Sequence, residues 1–192
     1  DFSFWKDFRD ISYSTKRDVL LISEIFGDTS QWLQGDRFDG TMNYSFRETM
    51  TDYFATKRIN SKEFADSLAN LYSMYSFEAL SSCQNLLSSH DVKRFLNRCG
   101  KNEDGILGAI FLQATFPGIA GVYYGDEVGL GGADDPFNRE PFPWHNEESW
   151  NKTILEFTKT LMQIKNVNPI FKYGRFELLD YKEDVVIFRR IL

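Results

Sequence analysis

Hydrophobic and polar positions follow two different periods along this chain, and the two periods predict helices and strands in turn. Apolar residues recur at spacings of three and four over 2–15, which predicts an amphipathic helix. The run at 19–26 is aliphatic and β-branched without polar alternation, which is typical of a strand buried on both faces of a parallel sheet. Similar but shorter patterns predict three more strands, at 38–44, 83–87 and 119–124.

Helical patterns separate these strands, so that we expect a helical segment after each of the four. One such helix is predicted over 46–56, and a second begins near Asn60, which forms a capping pair with Glu63 three residues later. A third is predicted over 105–115. Ser149 is positioned to cap a last one after a long loop rich in Gly and Pro.

The pattern changes beyond Pro169. The segments 175–179 and 185–190 alternate around a turn at 181–184, which predicts an antiparallel hairpin. The preceding strands and helices predict parallel βαβ units. Two α/β architectures fit four such strands: a small doubly wound sheet, or half of an eight-stranded barrel, since a complete barrel needs ~250 residues.

Composition removes several classes of function. Among 192 residues, 22 are Lys or Arg and 28 are Asp or Glu, giving a net charge of −6, and this acidic balance without a basic stretch argues against a nucleic-acid partner. No apolar run reaches the ~18–20 residues of a membrane-spanning helix, so no membrane partner is expected. We expect Cys83 and Cys99 to be free thiols, and His90 and His145 without a Cys-x-x-Cys motif indicate no transition-metal site. The first residue is Asp1, so we expect a processed or partial chain.

Polar side chains follow three of the predicted strands: Glu24, His90 with Asp91, and Asp126 with Glu127. In parallel α/β proteins, ligands bind at this end of the strands. A carboxylate that ends an aliphatic run is costly to ionise, which favours its protonated form and suits a general acid. Two carboxylates that face one pocket are what glycoside hydrolysis requires. The alternatives are that Glu24 simply meets solvent and that Asp91 only caps a helix.

The loop after the fourth strand carries a second set of candidates. Its Gly-rich start at 125–132 lacks Gly-Lys-Ser/Thr, which argues against a phosphate site. Asp135, Arg139 and Trp144 follow. Aromatic faces stack on sugars and Arg supplies planar hydrogen-bond donors, although a packed surface loop with an Asp–Arg pair fits equally well.

Three segments resemble consecutive motifs of the α-amylase family of glycoside hydrolases: LISEIF at 21–26, LLSSHD at 86–91 and GVYYGDEVG at 121–129. The segment 131–144 resembles the neopullulanase and cyclomaltodextrinase branch of that family, and FWKDFR at 4–9 is similar to the helix that follows its fourth barrel strand. The resemblance covers essentially the whole chain.

This resemblance implies the C-terminal half of a (β/α)8 TIM barrel, strands five to eight, over 1–168, followed by the start of an antiparallel β domain over 169–192. It implies a retaining glycosidase that cleaves α-glucosidic bonds, mainly α-1,4, in maltodextrins, cyclodextrins or pullulan. The implied partners are an α-glucan oligosaccharide and the missing N-terminal half of the barrel.

By position, the resemblance assigns Glu24 as the general acid/base and Asp91 as the carboxylate that binds sugar hydroxyls and stabilises the transition state. His90 becomes a substrate-binding neighbour, and Asp135 and Arg139 become candidates for substrate contacts. No cofactor and no metal ligand is assigned, and calcium in a longer protein is left open. A homodimer is also left open, as is the cellular compartment, for which we favour the cytoplasm.

The sequence also departs from the family pattern. The family nucleophile is an Asp at the end of strand four, two residues after an Arg, and no such motif surrounds Asp1. We therefore expect the chain alone to be inactive. Ser89 stands where many members carry Asn, and Phe26 where many carry Trp, which bears on substrate preference. The rival functions are a non-catalytic amylase-like interaction subunit, a transglycosylase that uses the same carboxylates, and an open-sheet binding domain that folds alone.

Overall fold

Four short parallel strands lie side by side in chain order in the computed structural model, which describes all 192 residues. β1 pairs with β2, and β3 pairs with β4. A parallel bridge from Met42 to Gln84 joins the two pairs. Unbroken chain order is typical of neighbouring barrel strands, whereas a doubly wound sheet reverses its order at a switch point. The four parallel strands are β1 (Ile22–Ser23), β2 (Gly40–Thr41), β3 (Gln84–Leu86) and β4 (Ile119–Gly121). Two further strands, β5 (Arg175–Lys182) and β6 (Val185–Ile191), form a C-terminal hairpin.

The chain forms eight α-helices, and two of them confirm specific sequence predictions. α1 has the predicted bounds, and the predicted capping pair begins α3: the Asn60 side chain accepts the Glu63 N–H at 3.0 Å, and Glu63 accepts the Asn60 N–H at 2.9 Å. No helix combines the length and apolarity needed to cross a membrane. The helices are α1 (Phe2–Thr15), α2 (Tyr44–Met50), α3 (Ser61–Met74), α4 (Phe77–Ser82), α5 (Phe95–Arg98), α6 (Glu103–Thr115), α7 (Lys152–Val167) and α8 (Pro169–Tyr173).

One contiguous hydrophobic core connects the helices with the strands and the hairpin. Phe46 and Phe116 are fully buried at its centre, with ring centroids 5.8 Å apart. Phe176 of β5 packs on Phe116 at 5.0 Å, so the hairpin shares this core. Cys83 and Cys99 are free, as predicted, and burial raises the pKa of both thiols to about 11. The predicted division of the chain after residue 168 stays a prediction.

The hairpin itself forms as predicted. β5 and β6 pair in antiparallel register around a two-residue turn. The guanidinium of Arg190, on β6, is buried and donates hydrogen bonds to the carbonyl oxygens of Thr115 and Gly174. The bond to Thr115 ties the hairpin to the C-terminal end of α6.

The strand predicted at 19–26 is wrong in length and in burial. Only Ile22–Ser23 forms a regular strand, and the side chains of Leu20 and Ile22 are 49% and 37% exposed. Alternate side chains of a strand point to opposite sides, and one side of β1 has no layer packed on it. After β1 the chain makes a single 3₁₀ turn, Ser30–Trp32, instead of the helical segment we expected.

Three helix boundaries also differ from prediction, and the smallest difference is at α6, which begins at Glu103 rather than at residue 105. The helix predicted from residue 46 begins at Tyr44, because Asn43 caps it, and it continues beyond Met50 as a π-helical turn, Thr51–Ala55. Asn151, not Ser149, caps α7: its side-chain oxygen accepts the N–H of the third helical residue at 3.0 Å. Both side chains are good caps, so the sequence pattern could not choose between them.

Candidate active site

Glu24 and the loop that carries Asp91 meet around one hydroxyl group. Glu24 follows β1, and its Oε1 lies 3.5 Å from the Oη of Tyr44. The same Oη lies 3.3 Å from Ser89 Oγ, which in turn accepts the N–H of Asp91 at 3.2 Å. The structure thus brings the carboxylate of Glu24 and the backbone of Asp91 to one region, with two hydroxyl groups between them.

The environment of Glu24 differs from the one its sequence neighbours suggested. Its side chain is exposed rather than surrounded by aliphatic groups, since β1 is open on one side. The hydrogen bond from Tyr44 is its specific protein contact.

Tyr44 is placed by the junction of β2 and α2. Asn43 caps α2 by accepting the N–H of Phe46 at 3.0 Å, which sets Tyr44 as the first helical residue. The Tyr44 side chain is buried, at 2% exposure, and Phe26 stacks on its ring with centroids 3.9 Å apart and planes 22° apart. Burial raises the pKa of Tyr44, and the carboxylate of Glu24 adds to that rise. The phenol therefore keeps its proton at neutral pH.

The other four predicted site residues form one polar cluster. His90 Nε2 and Asp91 Oδ1 are 3.3 Å apart, and Arg139 Nη2 lies 3.9 Å from the same oxygen. Arg139 Nε lies 3.0 Å from Asp135 Oδ1 and donates to the carbonyl oxygen of His90 at 3.2 Å. All four side chains are partly exposed, so their remaining donors and acceptors are free to bind a polar ligand.

Asn138 holds this cluster together, although no sequence pattern indicated it. The residue is buried, and its Nδ2 donates to the carbonyl oxygens of His90 at 2.8 Å and Val92 at 3.0 Å. These two bonds fasten the loop after β4 to the loop after β3. An Asn within a polar loop looks like any turn residue in the sequence.

Asp126 also follows a strand, but its position is different from that of Glu24. Its side chain is buried and lies 3.1 Å from Nη1 of Arg94, which also donates to the carbonyl oxygen of Tyr124 at 2.7 Å. Burial raises the pKa of Asp126 to about 6, although Ser88 and Arg94 oppose the rise. This pair supports the loop after β4 rather than offering a carboxylate to a ligand. No group of three or more His, Cys, Asp or Glu side chains is arranged to hold a metal ion.

Together, the groups can perform two tasks. Glu24 offers an accessible carboxyl group, which is what a general acid/base requires. His90, Asp91 and Arg139 offer a charged, hydrogen-bonding surface that suits vicinal hydroxyls.

Comparison with known proteins identifies the family to which the chain belongs. The family described as alpha amylase, catalytic domain, matches residues 1–172. Neopullulanase 2 of Thermoactinomyces vulgaris is 41% identical over 166 residues, covering 86% of this chain and 28% of that protein. Cyclomaltodextrinase of Thermoanaerobacter pseudethanolicus is 36% identical over 190 residues, covering 99% of this chain and 33% of that protein. The chain therefore spans about a third of the length of these curated relatives.

Solved structures of related hydrolases have the same fold as this chain. The ligand-free cyclic alpha-maltosyl-(1→6)-maltose hydrolase of Arthrobacter globiformis superposes with a TM-score of 0.95 at 33% identity, covering 99% of this chain and 43% of that one. A cyclomaltodextrinase superposes with a TM-score of 0.92 at 29% identity, covering 99% of this chain and 33% of that one. With a family match over all but its last twenty residues, the chain belongs to the α-amylase family of glycosidases.

Proposed function

We propose that this chain supplies the C-terminal half of the catalytic (β/α)8 barrel of a retaining glycosidase. Its substrates are maltodextrins, cyclodextrins or pullulan, cleaved mainly at α-1,4 bonds. β1 to β4 correspond to strands five to eight of the barrel, and residues 169–192 begin an antiparallel C-terminal domain. The chain order of the parallel strands and the names of the relatives support this proposal.

The open edge of β1 supports the proposal that the other half of the barrel is supplied by another segment. β1 has a strand neighbour on one side only. A cavity of about 640 Å³ opens between α1 and this edge, and it is lined mainly by apolar side chains. Phe4 and Ile11 of α1 are 60% and 67% exposed. An unpaired strand edge beside exposed apolar groups is what a neighbouring strand and helix would cover.

The proposed reaction uses Glu24 twice. The proton of Glu24 passes to the glycosidic oxygen while the bond from that oxygen to the anomeric carbon breaks. An Asp from the N-terminal half, ~5–5.5 Å from Glu24, bonds to the anomeric carbon. Water then attacks that carbon, its proton passes to Glu24, and the bond to the Asp breaks.

The remaining site residues bind the sugar and stabilise the transition state. Asp91 and His90 hydrogen-bond the sugar hydroxyls, and the negative charge of Asp91 stabilises the oxocarbenium-like transition state. Arg139 holds Asp91 and Asp135 at the entrance of the site. The observation that carries the proposal is the meeting of Glu24 with the Asp91 loop at the Tyr44 hydroxyl.

The test is Glu24→Gln in the full-length polypeptide, by which we mean this chain together with the segment that completes its barrel. Gln cannot give or take the proton, so we expect kcat/KM on maltodextrin to fall by several orders of magnitude. Glu156→Gln is the matched control, because Glu156 lies exposed on α7 and pairs only with Lys159. A loss of only a few-fold for Glu24→Gln would overturn the proposal and favour a non-catalytic interaction subunit.

Hydrolysis and transglycosylation share these carboxylates, so the products must separate them. We expect maltotriose to yield mainly shorter sugars. Products longer than maltotriose as the main outcome would assign the chain to a transglycosylase instead.

A further inference from the structure

The Tyr44 hydroxyl is the only side-chain hydrogen-bond partner of Glu24. Tyr44 is almost completely buried and Phe26 covers its ring, so its hydroxyl is fixed in place while Glu24 is exposed. A buried, stacked ring has few alternative positions, because protein interiors are close-packed. Glu24 thus takes its orientation from a rigid neighbour that is itself not exposed enough to stack on a sugar.

The hydroxyl hydrogens in the contacts from Glu24 through Tyr44 to Ser89 can be arranged in two ways. Each hydroxyl donates one hydrogen bond and accepts up to two. When Glu24 is ionised, Tyr44 donates to Glu24 and Ser89 donates to Tyr44. When Glu24 is protonated, it donates to the Tyr44 oxygen, and Tyr44 turns its hydrogen towards Ser89. In both arrangements Ser89 continues to accept the N–H of Asp91.

We propose that Tyr44 is the positioning residue of the acid/base carboxylate, and that Tyr44 and Ser89 form a hydrogen-bond relay whose direction reverses as Glu24 gains and loses its proton. This inference rests on the proposed role of Glu24. A retaining mechanism needs Glu24 in both protonation states at the same position, and a reversible donor–acceptor satisfies both states without moving the side chain.

The charged groups near the relay come from three elements. Glu24 follows β1, and Asp91 lies in the loop after β3; both carboxylates act on the Tyr44 phenol. Arg47, fully buried one turn along α2, also acts electrostatically with Tyr44. Removing the hydroxyl leaves these three groups in place, so a change in pH dependence reports the hydrogen bond itself.

The experiment measures kcat/KM against pH for Tyr44→Phe in the full-length polypeptide. Tyr44 bonds both forms of Glu24, but its bond to the ionised carboxylate is charge-assisted and the stronger of the two. Loss of the hydroxyl therefore disfavours ionised Glu24 on balance, and the alkaline limb should move to higher pH by roughly 0.4 to 1 unit, the equivalent of one hydrogen bond. At the pH optimum, kcat/KM on maltotriose should fall about tenfold or more. Tyr53→Phe is the matched control, since its hydroxyl bonds Ser61 and the Asp184 carbonyl away from the site.

A second substrate separates positioning from substrate contact. Fluoride leaves as a stable anion and needs little protonation, so Tyr44→Phe should change kcat/KM on α-maltosyl fluoride by less than about threefold. Equal losses on both substrates with an unmoved alkaline limb would overturn the proposal. Glu24→Gln tests the proposed acid/base role of Glu24 separately. If Glu24→Gln abolishes maltotriose cleavage while Tyr44→Phe has no effect, the proposed function stands and the hydrogen-bond relay is wrong.

Ser89 provides the third measurement. If the two hydroxyls act as one relay, Tyr44→Phe combined with Ser89→Ala should lose no more activity than the worse single variant. Losses that multiply would overturn the link through Ser89. If Tyr44→Phe does not fold, Ser89→Ala alone decides, because the relay predicts a shift of its alkaline limb in the same direction.

Discussion

Arg94→Met should destabilise the protein by an amount that depends on pH. The side chains of Arg94 and Asp126 are 0% and 6% exposed, and their charged atoms are 3.1 Å apart. Removing one partner of a buried ion pair costs about 3–5 kcal/mol, because the other charge stays buried without compensation. We expect a loss of this order at pH 8.

The pKa of Asp126 sets the pH window. Burial raises this pKa to about 6 in the folded protein, against about 3.9 for an unfolded Asp. The folded state therefore holds the proton more tightly, and stability falls as pH rises from about 4 to 6, by roughly 3 kcal/mol. Without the opposing charge of Arg94, the pKa rises further and the fall continues above pH 6. At pH 5 Asp126 is mostly protonated in both proteins, so the cost of Arg94→Met should be smaller there.

The assay is urea unfolding of the full-length polypeptide at pH 5 and pH 8. Arg94→Met should lose at least about 1.4 kcal/mol more at pH 8 than at pH 5, which corresponds to one further unit of pKa. Arg94→Met with Asp126→Asn should recover most of the loss at pH 8, since no buried charge remains. Arg189→Met, which breaks an exposed pair with Glu177, is the control and should change little. Equal losses at both pH values would refute the reasoning.

Two further predictions concern the chain itself. The isolated 192-residue chain should not hydrolyse maltodextrin, because the proposed nucleophile belongs to the other half of the barrel. It should also self-associate through the open edge of β1, which light scattering would detect. Activity of the purified chain would contradict the first of these expectations. Asn60→Ala should lower the free energy of unfolding by about 1 kcal/mol, because it removes the capping pair of α3. Asn60→Asp keeps the cap and should retain the stability of the unmodified protein in a thermal unfolding measurement. Equal stability of the two variants would contradict the assignment of the cap.

Short-range patterns predicted the local structure well. The bounds of α1, the capping pair that begins α3 and the β5–β6 hairpin follow from contacts among residues close in the chain. The cap at α7 was misplaced from Asn151 to Ser149, since both residue types satisfy the same rule. The strand at 19–26 was predicted too long, because an aliphatic run shows which residues prefer burial but not whether a second layer is present to bury them.

The sequence by itself determined the family, the order of the four parallel strands, and the positions of Glu24, His90 and Asp91 after strand ends, because these depend on residue type and spacing. The tertiary structure alone decided which of these groups meet. The contacts of Tyr44 join residues 20 and 45 positions apart, and Asn138 reaches 48 positions back to His90. Such contacts arise from the lateral packing of parallel strands and their loops, for which spacing along the chain carries no signal. That packing placed a buried phenol beside an exposed carboxylate, whereas the sequence left open whether Glu24 is desolvated by the aliphatic run or meets solvent.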